Sequence, residues 1–161
     1  MGDETAQSET IARLYDAFAR RDGAAMAACY GAEAKFSDPV FPDLRGAEVG
    51  GMWRMLCEGG TDLRVEWSLL ELTTTGGRVR WDAWYTFSAT GRKVHNIVTS
   101  DLRLHDGLII EQTDTFDFWR WSRQALGPAG VALGWTPFLR GKIQRVARKG
   151  LASFLAKTAA G

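Results

Sequence analysis

Asn96, Gln112 and Asp114 are polar residues at positions where strand alternation directs side chains inward. In the segment ending at Phe116, residues 110, 112, 114 and 116 share one strand face. One strand earlier, Asn96 shares a face with Val98, Ser100, Leu102 and Leu104. These faces are mostly apolar and therefore point to the interior. A buried polar group needs a hydrogen-bond partner or a ligand. Burial also disfavours the charged form of a carboxyl, which raises its pKa and suits it to acid or base work near neutral pH. Asp114 thus reads in two ways, as a pocket acid or as a structural Asp held by indoles or by Asn96. Asp38 precedes Pro39, and by that position alone it reads as an Asp bonding its own turn. In an apolar cavity the same residue is a base. Tyr15 is on the apolar face of a helix, where it is either a core ring or a phenol aimed at a developing oxyanion.

Other chemistries lack their residues. His95 points outward by alternation, and His105 sits in a turn, so no metal site is expected. Cys29 and Cys57 read as small hydrophobes on helix faces. No Ser-His-Asp motif or glycine-rich phosphate loop occurs.

Residues 8–21 must be an amphipathic helix, since Ile11, Leu14, Tyr15 and Phe18 recur at i, i+3, i+4 and i+7. Thr5 or Ser8 is the expected cap and Asp22-Gly23 the stop. A short Ala-rich helix over 23–30, a strand over 34–38, an irregular PVFPDLRG loop and a helix over 47–58 follow. Strands are expected over 63–74, 78–89, 93–104 and 108–118. Their turns are placed at Gly76-Gly77, Thr90-Gly91 and Asp106-Gly107. Short connections imply antiparallel neighbours. A short helix and turn precede a final helix over 137–157. The expected fold is α+β: a strongly curved antiparallel sheet with N-terminal helices across its concave side, forming a cone with a pocket. A C-terminal helical extension over about 119–158 completes one domain spanning 1–161.

Composition narrows the partners. The chain has 161 residues, is 45% hydrophobic and 24% charged, and carries a net charge of +1, so it is globular with no protein-wide basic field for nucleic acid. From Phe118 onward there are eight cations and no acids. On the last helix they read mainly as a solvated face, with contact to an anionic membrane surface as the weaker alternative. No leader and no membrane-length apolar run is seen, so a cytoplasmic protein is expected. Seven Trp residues can fill a core or wall an apolar ligand cavity.

The segments LYDAFARRDGAAMAACY, FSDPVFPDLRG, TGRKVHN and LHDGLIIEQTDTF resemble the nuclear transport factor 2-like superfamily, and within it the SnoaL-like and ketosteroid isomerase branch. The resemblance covers about residues 8–118. Ketosteroid isomerases use an Asp base and an oxyanion hole of a Tyr and a protonated Asp. The resemblance places Asp38 at the base and Tyr15 at the oxyanion Tyr. The third position falls on Ser100 and turns Asp101 outward, which leaves Asp114 as the substitute acid.

These readings together imply a cofactor-free enzyme, an isomerase or cyclase, acting by proton transfer on a small, apolar and cyclic molecule. Asp38, Tyr15 and Asp114 would be catalytic. Trp53, Trp81, Tyr85, Asn96, Gln112 and Phe116 would contact substrate. The resemblance also implies a homodimer. A non-catalytic ligand-binding or assembly protein is the alternative, with Trp67 and Trp84 at an interface. Limonene epoxide hydrolases of the same superfamily set an Arg between two Asp and hold a water with Tyr and Asn. Here Asp38, Asp114, Tyr15 or Tyr85, and Asn96 are available, but the inward set has no Arg.

Overall fold

The computed structural model describes residues 2–160. Helix α1 (Gly2–Ala19) buries Ile11, Leu14, Tyr15 and Phe18, as the 3.6-residue period requires. It starts earlier than expected, so Thr5 and Ser8 lie within the helix and do not cap it. Asp22 instead caps the next helix, α2 (Gly23–Ala27), where its carboxylate accepts from Ala25 N at 3.0 Å. This helix is shorter than its expected span. Cys29 is buried in the following turn, and Tyr30 begins strand β1 (Tyr30–Ser37). Strand β2 (Leu44–Arg45) and helix α3 (Ala47–Gly59) follow. Gly23 lets α2 lie directly on α3, because a Cβ there would sit 2.6 Å from Arg54 Cα.

Strands β3 (Arg64–Leu72), β4 (Gly76–Phe87), β5 (Arg92–His105) and β6 (Leu108–Thr115) form an antiparallel run. The whole sheet has the order β2-β1-β6-β5-β4-β3. Among the described residues, only β1 and β6 pair in parallel, which the long path through α3 and the meander permits. Alternation along β5 is as expected: Val94, Asn96, Val98, Ser100, Leu102 and Leu104 are buried. The expected Gly76-Gly77 turn is corrected. Both glycines are in β4, and Thr73 N bonds Gly76 O at 2.9 Å around the real turn. Gly76 is demanded by crowding, since a Cβ would stand 1.8 Å from the Leu102 carbonyl oxygen.

Three helices close the chain: α4 (Phe118–Leu126), α5 (Pro128–Leu133) and α6 (Pro137–Ala160). Asp117 caps α4 by accepting from the Arg120 backbone N–H at 3.0 Å, rather than from the Arg120 guanidinium. The inner edge of α6 repeats every four residues, at Leu139, Ile143, Ala147, Leu151 and Leu155. It seats on α3 at Gly51, where a Cβ would lie 2.4 Å from Leu155 Cδ2.

The main core fills the space between α1, α3 and the concave sheet face. A second, smaller core (Val94, Phe118, Trp121, Ala125) lies under α4, and Val40, Tyr85 and Phe116 touch both. Each large side chain so buried contributes about 1.5–3 kcal/mol. Among the described residues, no helix is long and apolar enough to cross a membrane.

Candidate active site

The register of β5 on β6 sets Ser100 opposite Asp114 and Leu102 opposite Gln112. Two chains of hydrogen bonds therefore converge on one carboxyl oxygen. Along the first, Trp53 Nε1 donates to Tyr30 Oη (2.8 Å), Tyr30 Oη to Gln112 Oε1 (2.5 Å), and Gln112 Nε2 to Asp114 Oδ1 (2.8 Å). Along the second, Trp81 Nε1 donates to Ser100 Oγ (2.8 Å), and Ser100 Oγ to Asp114 Oδ1 (2.6 Å). Asp114 is 3% exposed, and its other oxygen, Oδ2, is buried with no partner. Because Oδ1 already accepts twice, a proton on this carboxyl resides on Oδ2.

Burial pushes the Asp114 pKa up to about 7. The hydrogen bonds from Ser100 and Gln112 restrain the rise, and the charges of Asp38 and Asp101 add to it. Tyr15 presents the matching group. Its Oη is also buried with no hydrogen bond of good geometry. Burial and then the Asp114 charge hold its pKa well above the ordinary tyrosine value, with the nearby Ser100 hydroxyl opposing them. Two interior groups with spare hydrogen-bonding capacity thus lie within electrostatic reach of each other.

Asp38 directly follows β1 and does what its position before Pro39 implies. Its Oδ1 accepts from Val40 N at 2.7 Å and Phe41 N at 2.6 Å, closing the turn. This leaves Oδ2 uncommitted. Burial raises the pKa of Asp38, while the Phe41 and Val40 amides pull it back. Its charge is felt at Asp114 and at Tyr85. Tyr85 Oη accepts from Trp121 Nε1 at 2.8 Å, and burial is the main cause of its pKa rise to about 12.

The sequence-expected residues fall into three groups. Asp38, Asp114, Tyr15 and Tyr85 are electrostatically connected. Gln112, Trp53 and Trp81 act as donors in the chains that fix Asp114. The two indoles also pack edge-on against Phe18, with ring centroids 5.0 and 5.1 Å away. Phe116 is half-buried between the two cores. Asn96 is buried opposite Ala83, but it is not one of Asp114's donors. Asp101 faces out and pairs with Arg78 at 2.8 Å, as the register argument requires. His95 faces out as well, bonding Asp82 at 2.8 Å and stacking on Trp84. No metal-binding group of His, Cys, Asp and Glu exists among the described residues.

Tyr30 is the residue that sequence reading missed. Counting back by twos from Asp38 reaches Phe36, Ala34 and eventually Tyr30. The expected helix over 23–30 hid it, and the irregular register between Tyr30 and Lys35 breaks the simple alternation.

The interior around these groups is filled with aromatic rings. Two surface clefts, of about 510 and 270 Å³, lie elsewhere, and neither is lined by Tyr15, Asp38 or Asp114. Helix α6 is fastened beside Asp38 by a bond from Gln144 Nε2 to Pro39 O at 3.0 Å. Helix α6 thus covers the turn that carries Asp38.

Residues 11–112 match the family described as SnoaL-like domain. No curated protein matches the chain by sequence. Among solved structures, the chain is similar to a Silicibacter sp. TM1040 protein provisionally named a polyketide cyclase (TM-score 0.66, 20% identity, 74% of this chain and 95% of that one). It is also similar to an LEH-like epoxide hydrolase from M. tuberculosis (TM-score 0.57, 16% identity, 81% and 97%). A third is SalBIII, an epoxide hydrolase/cyclase-like enzyme in pyran ring formation in the polyether salinomycin (TM-score 0.63, 15% identity, 73% and 95%). At these identities the likeness establishes the fold.

Proposed function

The chain belongs to the SnoaL-like domain family, and from that premise we propose that it is an enzyme transferring a proton within a small, apolar, cyclic carbonyl compound. The observation that carries this reading is the pair of buried oxygens without a well-formed hydrogen bond, Tyr15 Oη and Asp114 Oδ2, with Asp114 within electrostatic reach of both Tyr15 and Asp38, whose second oxygen is uncommitted. A buried polar atom without a partner costs about 1–3 kcal/mol, so two together favour a site that a ligand completes.

In this scheme Asp38 Oδ2 takes a proton from the carbon next to the carbonyl. The C–H bonding pair becomes the C=C bond of an enolate, and the carbonyl oxygen gains the charge. Tyr15 Oη–H and the protonated Asp114 Oδ2–H donate to that oxygen. Asp38 then returns the proton: to the same carbon it restores the starting compound, and to another carbon of the conjugated system it gives an isomer. The step needs no redox partner and no cofactor. Trp53 and Trp81 serve through their N–H groups as the supports that hold Asp114, and Tyr85 and Phe116 line the approach beneath α4.

The solved neighbours include epoxide hydrolases, but an Asp-Arg-Asp arrangement is not favoured here. Neither Asp38 nor Asp114 forms an ion pair among the described residues.

The test is a panel of cyclic enones, polyketide-like ketones and epoxides incubated in D₂O with the wild type and Asp38→Asn. Deuterium uptake at the carbon next to a carbonyl by the wild type, lost in Asp38→Asn, is expected. Equal uptake by both proteins would overturn the assignment of Asp38. Hydrolysis of epoxides without exchange would move the protein to the hydrolase class. Stabilisation by ligands with no turnover in either protein would make it a binding protein.

A further inference from the structure

Outside the cone, where α4 lies against the start of β5, Arg92, Lys93, Arg120, Arg123 and Gln124 line an open cleft of about 510 Å³. We propose that this cleft binds the phosphate group of a small phosphate ester.

The arginines there are held by neutral groups. Arg92 Nε donates to Gln124 O at 2.8 Å, at the carbonyl end of α4. Arg120 Nη1 donates to His95 O at 2.6 Å. The Arg123 guanidinium lies 4.2 Å above the Trp119 ring, and its Nε is buried with no hydrogen-bond partner. None of the three arginines forms an ion pair with a carboxylate among the described residues. Lys93 reaches only Asp62, at 3.9 Å, and that carboxylate already accepts from Thr86 N and Oγ1. Asp117, the acid preceding α4, is committed to the Arg120 backbone.

Pinning α4 to the sheet explains one N–H of Arg92 and one of Arg120. It does not explain why Lys93 and Arg123 face the same space, nor why, among the described residues, no carboxylate pairs with any of the three arginines. Arg92 and Arg120 are each held through one N–H, and Arg123 is held by its face against Trp119, which leaves other N–H donors for an anion and supplies the preorganisation such a site needs. Gly127 contributes room: its φ is +65°, and a Cβ would approach Arg92 Cζ to 2.9 Å.

The number of donors selects the ligand. One guanidinium fork satisfies a carboxylate, whereas a phosphate monoester offers three charged oxygens to several forks. The cleft is also larger than inorganic phosphate requires, so an organic group can share it. This site does not depend on the acid/base reading of Asp38.

The test is calorimetric titration with inorganic phosphate and glycerol 3-phosphate, against chloride at matched ionic strength. Co-sedimentation with phosphatidylcholine vesicles with and without phosphatidic acid is run beside it. Saturable, chloride-resistant binding is expected, reduced tenfold or more in Arg123→Gln and in Lys93→Gln, and unchanged in Arg103→Gln. Binding of glycerol 3-phosphate supports a soluble ester. Binding confined to phosphatidic acid vesicles, with the same dependence on Arg123 and Lys93, places the phosphate on a lipid. The absence of binding in all formats, or full binding by a folded Arg123→Gln/Lys93→Gln double variant, overturns the proposal. Lys93 is a surface side chain, 86% exposed, so its replacement leaves folding intact.

Discussion

Ser100 and Asp114 face each other across β5 and β6, and the Ser100 hydroxyl donates to Asp114 Oδ1 over 2.6 Å. That contact occupies one carboxyl oxygen and leaves the other, Oδ2, buried and unpartnered. It joins the chemistry of the site to the pH dependence of the fold.

A carboxyl whose folded pKa is raised adds stability at low pH that is lost as pH climbs toward the folded value. For Asp114 the window runs from its ordinary value of 3.8 to about 7. Asp114→Asn keeps an acceptor for Ser100 and removes the titration. The stability of this variant relative to wild type should therefore rise with pH across that window, by at most about 1.4 kcal/mol per pH unit. Urea melts at pH 4, 5.5 and 7 measure it; a pH-independent difference would place the Asp114 pKa near the ordinary range.

Asp38 has two tasks that substitution separates. Asp38→Asn retains an oxygen for the Val40 and Phe41 amides, so stability should stay within about 0.5 kcal/mol while proton transfer falls at least a hundredfold. Asp38→Ala removes the acceptor as well and should cost about 1–3 kcal/mol. Thermal melts alongside deuterium-exchange rates distinguish the two. An Asn variant that melts like the Ala variant would reduce Asp38 to its turn.

Tyr15→Phe deletes a buried hydroxyl that has no hydrogen bond of good geometry, with the Ser100 hydroxyl nearby. Stability should hold or increase, whereas turnover should drop by about 10²–10³ if the phenol stabilises an enolate. Loss of stability with unchanged turnover would show that the hydroxyl serves packing alone.

Activity should be bell-shaped in pH. The rising limb belongs to ionisation of Asp38, whose pKa is displaced upward. The falling limb belongs to loss of the Asp114 proton near pH 7. In Asp114→Asn the falling limb should move to higher pH, a shift visible in kcat/KM profiles.

The cover can be loosened without touching the acids. Gln144→Ala removes the bond from α6 to Pro39 O. It should cost about 1 kcal/mol and raise the rate of ligand association, as stopped-flow quenching of the indole fluorescence would record. An unchanged association rate would mean that ligands reach the interior by another route.

Much of this protein was legible from its sequence because local periodicity dictates it. The inward face of β5 and the stripe of α1 follow from spacing alone, since the pleat and the helical turn decide which side chains share a face. The outward Asp101 and inward Ser100 follow from the same rule, and the turn held by Asp38 follows from its place before Pro39. Tertiary structure decided the rest. The pairing of β1 with β6 is non-local, and it set Tyr30 within reach of Gln112 although 82 positions separate them. Gly76 and Gly77 read as a turn, because glycine tolerates turns. Only the approach of the Leu102 carbonyl to Gly76 and of the Glu71 carbonyl to Gly77 shows that these glycines make room inside a sheet. The hydrogen-bond chains that leave Asp114 Oδ2 bare depend on five side chains from α3, β1, β4, β5 and β6, and no spacing in one segment encodes that meeting. Helix α6 carries a readable apolar stripe, but a stripe states only that something must cover it. The contacts at Gly51 and Pro39 determine that it closes over α3 and the Asp38 turn.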